Sequence, residues 1–286
     1  MVPYRRYDRT VALDDLAPLC ARLAAPFHRA GSFFEIFVLN QVDARPFNRG
    51  ALANAAVKSL WNQLRVSALM PSLLDKHSSR LRARAFDYLA IHDFDRYPIA
   101  EAQGTGCSAS IDGYYAYTAS SPRVLHPTSF AGGALITSFE LYRSVNGFSN
   151  SYWGWGEEDN DLFVRLRWCG LPPVHGRHLD ECMEHRDCAA CKEQKDHLAN
   201  SSALEEAKRR MRSRMRHPRK HMINDGMSTT NFTIVRQREL PGACGGAMVT
   251  VMDIDLSGSF HPVQPVARDA FQPWWMVASP TSTVTV

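Results

Sequence analysis

Two short apolar runs, residues 34–39 (FEIFVL) and 86–91 (FDYLAI), stand on either side of an alanine-rich stretch, FNRGALANAAVKSLWNQL, that reads as a helix opened by Phe47, Asn48 and Arg49. Strand, helix, strand in that rhythm points to an α/β fold with a largely parallel sheet. In such sheets ligands gather at the carboxyl ends of the strands. The second run passes at that end straight into His92, Asp93, Phe94 and Asp95. Two carboxylates with one residue between them can share a divalent cation that also holds a diphosphate. A hard ion such as Mn or Mg there would neutralise the charge that builds on a nucleotide leaving group.

A second constellation occupies residues 146–170, NGFSNSYWGWGEEDNDLFVRLRWCG. Trp153 and Trp155 alternate with Gly154 and Gly156, and the acidic run Glu157, Glu158, Asp159, Asn160, Asp161 follows. Leu162 and Leu166 then fall one turn apart and Gly170 is placed to stop a helix, so the acids belong to that helix's first turn. The amides at a helix N-terminus favour ionised carboxylates, as a general base working near neutral pH requires. Glycines beside tryptophans give a loop that can carry a flat ring, a surface on which a sugar face stacks. The competing reading is a buried aromatic turn before an ordinary helix.

The remaining chain is less pointed. Residues 11–30 read as a helix, 100–127 as an irregular loop region rich in Gly, Ser, Ala and Tyr, and 138–145 as a short helix. Residues 129–137 read as a strand whose Gly132 and Gly133 let the backbone approach something closely. Residues 231–236 and 249–256 form a β portion, a hairpin by pattern. The opening MVPYRRYDRT looks like the end of a strand and its loop, as if a preceding β segment were missing.

With 286 residues, 45% hydrophobic and 22% charged, the chain has the composition of a soluble globular protein of one large or two small domains. No apolar window reaches membrane-spanning length. The formal charge of +4 is local: residues 208–220, KRRMRSRMRHPRK, hold eight Lys or Arg and no acid. That segment is either a solvated face or a site for an anionic partner; no aromatic residue is interleaved with it, which argues against nucleic acid. Seven cysteines leave at least one without a partner inside the chain. Cys188-x-x-Cys191 is half of a zinc pattern with no second half at finger spacing.

Five segments in order, VPYRRYDR, IFVLNQVDARPFNRG, FDYLAIHDFDRYP, LHP with SFAGG, and NGFSNSYWGWGEEDNDLFVRLRWCGL, resemble the β-1,4-galactosyltransferase family over residues 2–171. Within it the chain is most similar to the xylosylprotein 4-β-galactosyltransferases, which attach the first galactose of the proteoglycan linker. The resemblance implies a GT-A type fold, a mostly parallel central sheet flanked by helices with a small additional β portion near the C-terminus. Residues 1–256 would form one catalytic domain and 257–286 an irregular tail. It implies an inverting, Mn2+-assisted transfer of galactose from UDP-galactose to a glycan, glycoprotein or proteoglycan acceptor. Terminal xylose is the expected acceptor, with N-acetylglucosamine, another glycan, or an inactive sugar- or UDP-binding relative as alternatives. Family members are type II Golgi proteins, so a membrane anchor is expected upstream and a Golgi lumenal location for this chain.

The same resemblance implies residue roles. Pro3, Tyr4, Arg5, Phe47 and Arg49 would line the uridine pocket, with Asp93, Phe130, Gly133 and Trp155 also on the donor. Phe130 matches an aromatic residue that favours galactose over N-acetylgalactosamine; read alone it is equally a core phenylalanine. Trp155, Tyr152 and Glu158 would meet the acceptor, and Asp159, next to Glu158, would be the base. Asp95, His185 and Met183 would hold the metal, with His175 and His178 as competitors. Arg96 stands where relatives have an apolar residue.

Overall fold

The structure is a computed structural model; it describes residues 1–4, 13–69, 86–99, 107–115, 122–124, 133–154, 156–175, 182–185, 201–240 and 247–260. The first sheet has the order β1-β2-β10-β9, with β1 at Val2–Tyr4, β2 at Glu35–Gln41, β9 at Thr233–Glu239 and β10 at Met248–Asp255. β1, β2 and β10 are parallel, and β9 pairs antiparallel with β10. The β9–β10 pair is the hairpin expected from the pattern, and β10 lies inside the main sheet beside β2.

Alternation along β2 and β10 explains the layers. Ile36 and Val38, with Val249 and Val251, face a cluster that includes Leu16, Leu19 and Leu23 of helix α1 (Leu13–Arg29). Phe37 and Leu39, with Met252 and Ile254, face the other way, onto Ala53, Val57 and Leu60 of α2 (Arg49–Leu69). A period of two on the strands therefore buries both sheet faces under helices. Ala51, Ala53, Ala55 and Ala56 of α2 are fully buried and let it lie close to the strands.

A second sheet has the order β3-β6-β5-β7, from β3 (Leu89–His92), β5 (Arg123–Val124), β6 (Ala134–Thr137) and β7 (Val174–His175). It is mixed: β3–β6 and β6–β5 are antiparallel and β5–β7 is parallel. The His92 N–H donates to the Met1 carbonyl at 2.9 Å, so β3 runs beside the start of β1. A two-stranded sheet pairs β4 (Arg96–Pro98) with β8 (Met183–His185), antiparallel.

Two expectations change. The region read as an irregular loop contains helix α3, Cys107–Tyr115, which turns Cys107, Ile111, Tyr114 and Tyr115 into the core at helical spacing. Cys107 is bonded to Cys182, clamping α3 to the residue before β8. The strand read at 129–137 is described only from Ala134, where Gly133 has φ +78°, outside strand geometry. Helix α4 (Phe139–Ser144) opens where the pattern places it, with the Ser138 hydroxyl accepting the Leu141 N–H at 3.1 Å. Phe130, Arg5, Trp155, His178, Cys188, Cys191 and Trp274-Trp275 lie outside the described residues.

Candidate active site

Three segments converge at the carboxyl end of β3. The first is the turn between β2 and α2. Gln41 donates to the Asp43 carboxylate at 3.1 Å and to the Pro46 carbonyl at 3.0 Å, and its own carbonyl oxygen takes the Asn48 N–H at 2.8 Å. Asn48 then caps α2 by accepting the Ala51 N–H at 2.8 Å. This fixes Arg49, the first residue of the helix.

The second segment is Asp93, immediately after β3. One of its oxygens accepts from Nε of Arg49 at 2.7 Å and lies 2.7 Å from Nη2 in an ion pair, and the other takes the Gly133 N–H at 3.0 Å. The Asp93 N–H donates in turn to the Gly133 carbonyl at 2.8 Å. The close approach that the paired glycines foretold is thus to Asp93, and the positive φ of Gly133 makes it possible.

The third segment is helix α5, Glu158–Trp168, entered through Glu157 at φ +74° with no side-chain cap. Glu158 and Asp159 form its first turn, and Nη1 of Arg49 lies 3.9 Å from Glu158. Arg49 therefore joins Asp93 to the acidic turn. Burial, and then the Asp159 charge, push the Glu158 carboxyl up to about 8. Burial raises Asp159 too, but Arg49 and the Asn160 N–H, 2.8 Å away, work against the rise. Burial thus raises both neighbouring carboxyls, and the Arg49 charge and the Asn160 N–H oppose the rise at Asp159.

Around this centre, Gly154 N–H donates to the Phe47 carbonyl at 2.7 Å, tying the Trp-Gly loop to the turn before α2. Arg45 stacks over Trp153 at 5.2 Å, beside a cleft of about 500 Å³ lined also by Tyr152 and Arg210.

A family model described as the N-terminal domain of galactosyltransferase matches residues 115–178. Beta-1,4-galactosyltransferase 7 of Drosophila melanogaster is 30% identical over 179 residues, 63% of this chain and 47% of that protein. Over these segments the chain is similar to the β-1,4-galactosyltransferases. Another member, the xylosylprotein 4-beta-galactosyltransferase of Caenorhabditis elegans, is 28% identical over 207 residues, 69% of this chain and 60% of that one. The chain spans about half the length of these curated relatives. A crystal structure of a Drosophila beta-1,4-galactosyltransferase 7 mutant with manganese, UDP-Gal and xylobiose superposes with a TM-score of 0.59 at 23% identity, covering 90% of this chain and 93% of that one. The fold is that of the GT-A galactosyltransferase catalytic domains.

Several residues singled out for this family's site are turned inward. Tyr4 is 1% exposed and meets Phe94 edge-on at 4.9 Å, beneath the turn that carries Asp93 and Asp95. Tyr152 is 4% exposed and gives its hydroxyl to Asp161 at 3.0 Å, so it supports the Trp-Gly loop from below. Met183 is packed in the α1 cluster. Pro3 is buried in β1 opposite Leu39. The β4–β8 register sets His185 opposite Arg96, the residue after Asp95, so the backbone brings the two expected ligands to one place. Among the described residues, no group of three metal-binding side chains is assembled.

Sequence reading assigned Arg49 to a uridine pocket and missed its bridge, because Asp93 is 44 residues away and no local pattern links them. It also missed the buried Asp161 and Arg214 and their partly buried neighbour Asp225, a set below the Trp-Gly loop.

Proposed function

We propose that this chain carries the catalytic part of an inverting galactosyltransferase. It moves galactose from UDP-galactose onto terminal xylose of a proteoglycan linker, in β-1,4 linkage. The carrying observation is the Arg49 bridge, which holds the D-x-D turn and the Glu158–Asp159 pair around one point. A base facing the acceptor and a charge-balanced donor side are what direct displacement needs.

In this reading, Asp159 takes the proton of the acceptor hydroxyl as that oxygen bonds to the anomeric carbon and UDP leaves. Glu158, protonated, presents a donor to the acceptor and leaves Asp159 as the single anion of the pair. Phe47 and Arg49, with Pro3, frame the donor side, and Asp93 orients Arg49. Trp155 and Phe130 keep the roles that the family resemblance gives them.

Manganese suits Asp95 and His185, an oxygen and a nitrogen donor, better than the buried thioether of Met183. When bound, it would neutralise the diphosphate of the leaving group. The Cys107–Cys182 bond fits an oxidising compartment such as the Golgi lumen. No described helix is long and apolar enough to cross a membrane.

The test is galactose transfer with manganese to a β-xyloside and to an N-acetylglucosaminide, side by side. Transfer to the xyloside is expected. Preference for the other sugar would move the acceptor assignment, and UDP binding without transfer to either would replace the transferase by a sugar-nucleotide-binding relative.

A further inference from the structure

The basic segment lies along the Trp-Gly loop. Its helix, Ser201–Arg216, meets the loop at both ends. A Cβ at Gly156 would sit 3.2 Å from Leu204, Arg210 donates to the Ser151 carbonyl, and Arg214 donates to the hydroxyls of Ser149 and, at 2.8 Å, Ser151. Arg210 and Arg214 are one turn apart and share a face with the buried Met211.

Arg214, only 9% exposed, reaches further. It lies 3.3 Å from Asp161 in the first turn of α5 and 2.7 Å from Asp225. Asp161 also holds Arg165 at 2.6 Å and the Tyr152 hydroxyl, while Asp225 takes the Asn150 N–H at 2.9 Å and the hydroxyls of Ser149 and Ser151. Two guanidinium groups balance two buried carboxylates, and removing one cation leaves an unmatched charge beneath the loop.

We propose that Arg214, seconded by Arg210, is a positioning residue of the transfer site. It seats residues 149–154 against the first turn of α5, setting the acceptor surface relative to Asp159. This rests on the transferase reading above. Among the described residues, the polar contacts given for both arginines go to the loop, to Glu206, to Asp161 and to Asp225, and none to Phe47, Arg49 or Asp93 on the donor side.

The experiment measures kcat and both KM values for wild type, Arg214→Gln, Arg214→Lys and Arg210→Gln. Arg214→Gln should raise the acceptor KM about 10-fold while the UDP-galactose KM stays within about twofold, the asymmetry expected when positioning is lost on one side. Arg214→Lys should recover part of the loss. If Arg214→Gln does not fold, Arg210→Gln, whose side chain is partly exposed, should give a smaller shift of the same asymmetry. A fall in kcat matching the folded fraction, with both KM values unchanged in the variants that fold, overturns the assignment. A wild type that transfers to no acceptor overturns the transferase reading and this inference with it.

Discussion

Glu158 is the residue whose surroundings most alter its chemistry. Its carboxyl rises from 4.5 to about 8, through burial first and then the charge of Asp159. A carboxyl that binds its proton more tightly when folded makes its full contribution to stability below the unfolded value. That contribution is lost as pH climbs through about 8, at about 1.4 kcal/mol for each tenfold difference in proton affinity between the folded and unfolded chain. The ligand-free wild type should therefore lose Tm relative to Glu158→Gln as pH rises from about 5 to about 8, since glutamine keeps the neutral shape at every pH. A wild-type Tm that stays level with, or rises relative to, that of Glu158→Gln over this range would contradict the buried, proton-holding role. The acid pair was legible in the sequence as a helix's first turn, but the division of labour within it was not. It depends on Arg49, which arrives from another helix.

At the scale of elements, the site depends on how α2 is joined to the segment that leads into the Trp-Gly loop. Asn54 on α2 is the fastener: its side-chain oxygen accepts from the Tyr142 hydroxyl at 2.7 Å and from Phe148 N–H at 3.0 Å, and its amide donates to Phe148 and Asn150. Gly147 sits against it at φ +59°, where a Cβ would fall 2.2 Å from the Asn54 oxygen. Gly147→Ala should cost about 3 kcal/mol or more, from the strained backbone and the displaced asparagine together. Chemical denaturation measures this, and a loss under about 1 kcal/mol would show that the joint is loose. The β4–β8 pairing makes a separate prediction. Asp95→Ala should abolish manganese-dependent UDP-galactose binding in calorimetry while leaving the melting temperature of the ligand-free protein close to wild type. Unchanged affinity would remove Asp95 from the metal site.

For the whole molecule, the α/β plan was legible in the apolar runs of β2 and β3 and the alanine-rich α2 between them, although the two strands fall in different sheets. Helix α3 was hidden: its Gly, Ser and Asp mask the spacing of Cys107, Ile111, Tyr114 and Tyr115, and a disulfide to Cys182 holds it in place. The basic segment was legible as charge and illegible as structure. Its net charge suggested a solvated face or an anionic partner; Arg209, Arg212, Arg216, Arg219 and Lys220 are exposed as on such a face, while Arg214 is buried and bonds to the loop. Long-range joins of this kind, from Arg49 to Asp93 and from Arg214 to Asp161, leave no local periodicity to read.

The most direct measurement is a paired assay on wild type and Asp159→Asn, recording kcat for transfer from UDP-galactose to a β-xyloside, the anomeric configuration of the product, and UDP-galactose affinity. The account predicts a β-linked product from the wild type, a kcat lower by about 10²-fold or more in the variant, the scale of a lost general base, and equal donor affinity. A variant that turns over like the wild type, or an α-linked product, would contradict it.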